Sequence, residues 1–143
     1  GGLPITERQN HSYVVGYYGP GLDATIYGPH PDLKFVNDTG NYLLLQSRVE
    51  DSKLIFELYG RDDNRVVTIG EPEIYDRIPP PEPKYIPSLE LVMGQTKCTE
   101  TARYGMTAEA EYTVELADGT SRTQVFKSVY RPWQKVCLIG VRR

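Results

Sequence analysis

Short runs in which apolar and polar residues alternate, each ended by Gly, Pro, Asn or Asp, recur along this chain, and alternation of period two is the mark of a strand with one covered face. The pattern predicts strands over 12–18 (SYVVGYY) and 23–27 (DATIY) around a Gly-Pro-Gly turn, then over 33–36. A hairpin is predicted from 42–50 and 53–59, joined at Glu50-Asp51-Ser52-Lys53. In that hairpin the apolar residues run together in the middle, as in strands covered on both faces, which makes it the expected core. Residues 66–76 read as a strand interrupted at Gly-Glu-Pro, placed at an edge or bulge because proline lacks a ladder donor. No segment has helical periodicity.

Residues 77–87 (RIPPPEPKYIP) carry five prolines, which favours an extended chain without internal hydrogen bonds. Beyond them, 108–130 form a predicted hairpin with a tight mirror-image turn at Asp118-Gly119. Tyr112, Val114 and Leu116 share one face there, and Glu111, Thr113 and Glu115 the other. A last strand covers KVCLIGV, 135–141. The expected fold is therefore all-β and mainly antiparallel, as two small modules: 1–77 and 88–143, joined by a Pro-rich linker at 78–87.

The 143 residues suffice to bury a core without metals or disulfides. Sixteen basic against nineteen acidic residues give a net charge of −3 with no basic block, so nucleic acid is not an expected partner. No apolar run has the roughly 20 residues of a membrane-spanning helix. The Gly-Gly-Leu-Pro start, without methionine, is that expected of a processed product or an expressed piece. Cys98 and Cys137 are too far apart for a paired metal-knuckle motif; two packed thiols and a structural disulfide are both open. No cluster has metal-site spacing, and no cofactor is expected.

Candidate chemistry gathers near the N-terminus, where His11 precedes Ser12 and Tyr13, and Asp23 follows Gly21. Taken alone, these are polar residues of a hairpin and its turn. His30, between prolines, reads as a solvated loop residue, and Asp32 and Asn37 as turn caps. Tyr13, Tyr17, Tyr18, Tyr27, Tyr42 and Tyr59 are either sheet packing or a stacking platform for sugars.

ERQNHSY (7–13), GPGLDATI (19–26), PDLKFVNDTGNYLLL (31–45) and LIFELYG (54–60) together resemble, in order and spacing, the C-terminal half of the VanW-like family of bacterial cell-wall proteins. Residues 83–141 (PKYIPSLELVMGQ, Gly105, the ADGT turn and SVYRPWQKVCLIG) are more loosely similar to the wall-associated G-five module. The resemblance implies L,D-transpeptidase-like chemistry in the intact parent: a cysteine attacks a peptidoglycan stem-peptide carbonyl and passes the acyl group to a neighbouring amine. It makes His11 the base and Asp23 its orienter, with Ser12 and Tyr13 against substrate. The family's cysteine motif is expected upstream of GLPITERQNHS, so this chain alone is expected to be inactive. The alternative is a non-catalytic module that binds peptidoglycan and is linked to glycopeptide resistance. Either implies an extracytoplasmic location, in the wall or anchored through a segment not present here. Peptidoglycan stem peptides or glycan are the expected partners, and a homodimer through an exposed strand edge is expected as well.

Overall fold

A computed structural model describes residues 1–14 and 16–142. Among them are eleven strands and no helix, which makes the fold all-β. The strands are β1 (Ile5–Glu7), β2 (Lys34–Phe35), β3 (Leu44–Glu50), β4 (Lys53–Tyr59), β5 (Val66–Ile69), β6 (Glu73–Ile78), β7 (Lys84–Ser88), β8 (Thr96–Glu100), β9 (Gly105–Glu115), β10 (Ser121–Tyr130) and β11 (Val136–Gly140).

Alternation along β9 builds the central sheet. Ala108, Ala110, Tyr112 and Val114 are buried on one face, while Glu111 and Glu115 are exposed on the other. β10 lies antiparallel along one side of β9, with Ser121 opposite Glu115 and Tyr130 opposite Met106. β5 and β6 follow each other along the other side, separated at Gly70-Glu71-Pro72, where the interruption was expected. The β9–β10 connection differs from the expected two-residue turn. The Gly119 amide donates to the Leu116 carbonyl at 2.9 Å and the Leu116 amide to the Thr120 carbonyl at 2.8 Å, leaving Gly119 at φ 83°. This is a three-residue loop whose left-handed position falls on glycine. Asp118 holds it through the Thr120 amide at 2.9 Å.

The buried side chains Ala108, Ala110, Tyr112, Val114 and Tyr130 place the core on β9 and β10, beneath the N-terminal segment. That segment lies on the sheet through Leu3, whose carbonyl accepts from the Tyr112 hydroxyl at 3.2 Å, and Ile5, whose carbonyl accepts from Gln124 Nε2 at 3.0 Å. Arg65 and Arg122 both donate to Gly2 O and to Asp38, fastening the 1–38 stretch over β5 and β10. Asp38 is held below the ordinary carboxylate range: burial pushes it up, and the two guanidinium groups outweigh burial.

Two expectations are corrected. The β3–β4 hairpin forms with its predicted register, Glu50 opposite Lys53, and Asp51 and Ser52 both adopt positive φ as a mirror-image turn requires. It is not the core, however. Val49, Leu54 and Phe56 are exposed, and only Leu45 and Leu58, at its open end, reach an apolar cavity of about 360 Å³ that Ile5, Leu33, Phe35 and Phe126 also line. The strands expected over 12–18 and 23–27 are absent among the described residues, Val15 lying outside them. Gly19 (φ 76°) and Gly21 (φ 98°) turn the chain out of the extended region between them.

The Pro-rich stretch also differs from a plain spacer. Lys84–Ser88 is β7, parallel to β11, which pairs on its other side with β8 in antiparallel fashion. β7 sits at the sheet edge, where the missing amide of Pro87 is tolerated. Strand pairing crosses the expected division, since β5 and β6 of the 1–77 segment pair with β9 of the 88–143 segment. Cys98 and Cys137 face each other across β8 and β11 and are joined as a disulfide.

Candidate functional site

Fold and sequence meet at the loop Gly19-Pro20-Gly21, which returns the chain so that Asp23 stands beside His11. The Thr25 amide donates to the Gln9 carbonyl at 2.7 Å and fixes this approach without forming a ladder. Gly21 is required here. At φ 98° its backbone is one that side chains disfavour, and a Cβ would come within 3.1 Å of Pro72.

Asp23 is only 5% exposed. Its Oδ2 accepts from the His11 amide at 2.7 Å and lies 2.7 Å from His11 Nδ1. Its Oδ1 accepts from the Tyr130 hydroxyl, and Arg8 Nη2 stands 3.6 Å away. Burial pushes the Asp23 carboxyl up. The His11 amide, the Tyr130 hydroxyl, the imidazole and the Arg8 guanidinium outweigh burial and hold it below the ordinary carboxylate range. Asp23 is therefore an anion at neutral pH, and an anion only accepts. Nδ1 of neutral His11 must then carry the ring proton, which leaves the lone pair on Nε2.

The surrounding bonds fix this pair. Arg8 Nη2 donates to the Gly21 carbonyl and to Ser128 Oγ, both at 2.9 Å, and the Gly21 amide donates to the Tyr130 hydroxyl at 2.7 Å. β10 and the residue that follows it hold the histidine loop directly, because Asn10 Nδ2 donates to the Val129 carbonyl at 2.9 Å and the Arg131 amide to the Ser12 carbonyl at 2.7 Å.

His11 is partly exposed and lines an open cleft of about 440 Å³ together with Ser12, Tyr13, Tyr17, Thr25 and Tyr27. Tyr18 stacks on the imidazole at 5.5 Å between centroids, and Tyr17 packs against Tyr18 at 4.4 Å. Tyr13 rests on Trp133 at 4.7 Å between centroids, with the Arg103 guanidinium over the Tyr13 ring at 5.3 Å. Chemically, the arrangement is an imidazole held by a buried carboxylate beside an aromatic-walled cleft, with a lone pair on Nε2 able to accept a proton.

The structure thus brings His11, Asp23, Ser12 and Tyr13 together. It leaves Tyr42 and Tyr59 on and beside the β3–β4 hairpin, away from the cleft. His30 is solvated, its Nδ1 3.5 Å from Glu7. Asp32 and Asn37 cap turn amides, those of Leu33 at 2.8 Å and Thr39 at 3.2 Å. Sequence reasoning missed Arg8, Ser128 and Tyr130. Arg8 stands in the same short motif as His11, which was the available signal; Ser128 and Tyr130 follow more than a hundred residues later and nothing local points to them.

Residues 1–59 match the family model described as VanW like protein. Over 61 residues, 43% of this chain, the sequence is 34% identical to the uncharacterized protein YoaR of Bacillus subtilis (strain 168). The chain spans about a fifth (20%) of that relative's length. No solved structure matches the chain. The stretch similar to VanW like proteins contains His11 and Asp23, whereas Ser128, Tyr130 and Trp133 lie beyond it.

Proposed function

We propose that this chain carries the base and orienter of a thiol-dependent acyl-transfer site in a cell-wall-associated, VanW-like protein. The observation that carries the reading is the His11 Nδ1–Asp23 Oδ2 contact of 2.7 Å on a ring that lines an open cleft. Both cysteines of this chain are tied up in the disulfide, so the thiol comes from elsewhere in the parent protein. His11 Nε2 takes the thiol proton, and the thiolate adds to a stem-peptide amide carbonyl. The C–N bond breaks as Nε2 returns the proton to the leaving amine. A second amine then attacks the thioester, gives its proton to Nε2 and releases the thiolate with a new amide bond. Ser12 and Tyr13 line the cleft where the stem peptide lies. An extracytoplasmic location is supported by the disulfide, a bond typical of oxidising compartments.

A second reading, a peptidoglycan-binding module without chemistry, is favoured by the exposed rings of Tyr17 and Tyr27 at the same cleft. Assaying a parent protein that includes its thiol segment on tetrapeptide muropeptides separates the two. Mass spectrometry should find new stem-to-stem amide bonds that disappear with His11→Ala. If His11→Ala leaves cross-linking unchanged, the base assignment fails; if the parent retains sacculi without cross-linking them, the binding reading takes its place.

A further inference from the structure

The hydrogen-bond chain behind His11 does not end at Asp23. It continues to a residue on a distant strand, outside the stretch similar to VanW like proteins. We propose that Tyr130 is a positioning residue for the His11–Asp23 pair, so that the site is completed by β10 and is not self-contained in residues 1–59.

Three observations converge on this. The Tyr130 ring is 2% exposed, so its hydroxyl is cut off from solvent and must find protein partners. It has two: it donates to Asp23 Oδ1 and accepts from the Gly21 amide at 2.7 Å. It therefore ties the carboxylate to the very loop that delivers Asp23. The remaining oxygen, Oδ2, is left for the His11 amide and ring, so the two faces of the carboxylate are divided between β10 and the histidine loop.

Without the Tyr130 hydroxyl, Asp23 keeps its place in sequence but loses the hydrogen bond that holds Oδ1, leaving its rotation about Cβ–Cγ to the His11 contacts on Oδ2 alone. Arg8 does not substitute, since its Nη2 stands 3.6 Å from Oδ1 and already donates to Gly21 O and Ser128 Oγ. Ser128, fully buried one pleat away on the same face of β10, packs this guanidinium in position. The same strand carries the Val129 carbonyl that holds Asn10, and Arg131, just past its end, holds the Ser12 carbonyl. β10 thus acts as a template on which both halves of the pair are aligned.

The inference rests on the His11–Asp23 reading, but its test needs no acyl transfer, so failure of the transferase assay and failure of this test are separate results. In the Tyr130→Phe chain, ¹³C NMR titration should show the Asp23 carboxyl titrating higher than in the unsubstituted chain, because a donor to the anion is lost. Long-range ¹H–¹⁵N spectra of His11 should pass from one tautomer to a mixture. A folded Tyr130→Phe chain in which neither the Asp23 midpoint nor the tautomer moves overturns the proposal. Should that variant not fold, Asp23→Asn reads the same bond from the other end. The Tyr130 phenol, held above its ordinary range by burial and then by the Asp23 carboxylate, should ionise at lower pH once that charge is gone, and an unchanged phenol titration overturns the proposal equally.

Discussion

Replacing Asp23 by Asn changes the shape of the site least and its electrostatics most. The amide retains one oxygen, yet Asp23 accepts from protein donors on both oxygens, the His11 amide and ring on Oδ2 and Tyr130 on Oδ1. Facing His11, its NH₂ meets the His11 amide N–H; facing Tyr130, it leaves the buried hydroxyl proton without its acceptor. An orphaned buried donor costs roughly 1–3 kcal/mol, and a hydrogen bond to a charged acceptor is worth about 1.5–3 kcal/mol. Arg8 also loses the counter-charge 3.6 Å away. The expected loss is about 3 kcal/mol of unfolding free energy at neutral pH, measured by urea denaturation.

The pH dependence supplies a second, sharper expectation. Asp23's folded pKa lies below its unfolded value, so its stabilisation is complete above the unfolded value and is lost as the pH falls through the folded one. Glu7, Asp38, Asp63, Glu109 and Asp118 are lowered as well and contribute in both proteins. The difference between wild type and Asp23→Asn cancels them. Asp23's own share of that difference should shrink steadily as the pH falls below about 4, the ordinary aspartate value. A gap below about 1 kcal/mol at pH 7, or one that keeps its size into acid, would refute the picture of an ionised, doubly hydrogen-bonded carboxylate.

Other expectations follow from the packing. Val114→Ala, at a fully buried position under the N-terminal segment, should cost about 2 kcal/mol, whereas Phe56→Ala on the exposed hairpin should stay within about 0.5 kcal/mol by the same denaturation assay. Equal costs at the two positions would contradict the core assignment. Reducing Cys98–Cys137 frees a 39-residue separation, worth about 4 kcal/mol of loop entropy, and should lower the urea midpoint accordingly. The β3–β4 hairpin has no third strand among the described residues and exposes Val49, Leu54 and Phe56 on one face, so light scattering should find concentration-dependent association that Phe56→Lys weakens. A monomer at millimolar concentration would count against pairing through these edges.

The strands were legible where local chemistry and tertiary context agree. Asp118-Gly119 between two alternating runs gives β9 and β10, and Gly-Glu-Pro gives the gap between β5 and β6. The hairpin at 42–59 shows the limit: alternation reveals that Leu45, Val49, Leu54, Phe56 and Leu58 share a face, but not whether another element covers it. SYVVGYY reads as a strand by propensity, yet the Ser12 carbonyl accepts from Arg131 rather than from a ladder partner at 23–27. β7 was hidden because prolines depress any local strand signal and its partner β11 is some fifty residues away.

For the site, His11 and Asp23 were legible through resemblance, whereas their support was not. The Tyr130 hydroxyl reaches Asp23 across 107 residues of sequence, and Ser128 reaches Arg8 across 120. Pairings of that range are set by how the N-terminal segment lies on β9 and β10. They emerge only once the sheet exists.

The protonation pattern of the His11 ring is the most direct test of the whole arrangement. Long-range ¹H–¹⁵N correlation at a pH where the ring is neutral should show the proton on Nδ1, facing Asp23 Oδ2, with Nε2 bare and able to take a proton from a thiol. A ring protonated on Nε2, or a mixture indifferent to Asp23→Asn, would contradict it.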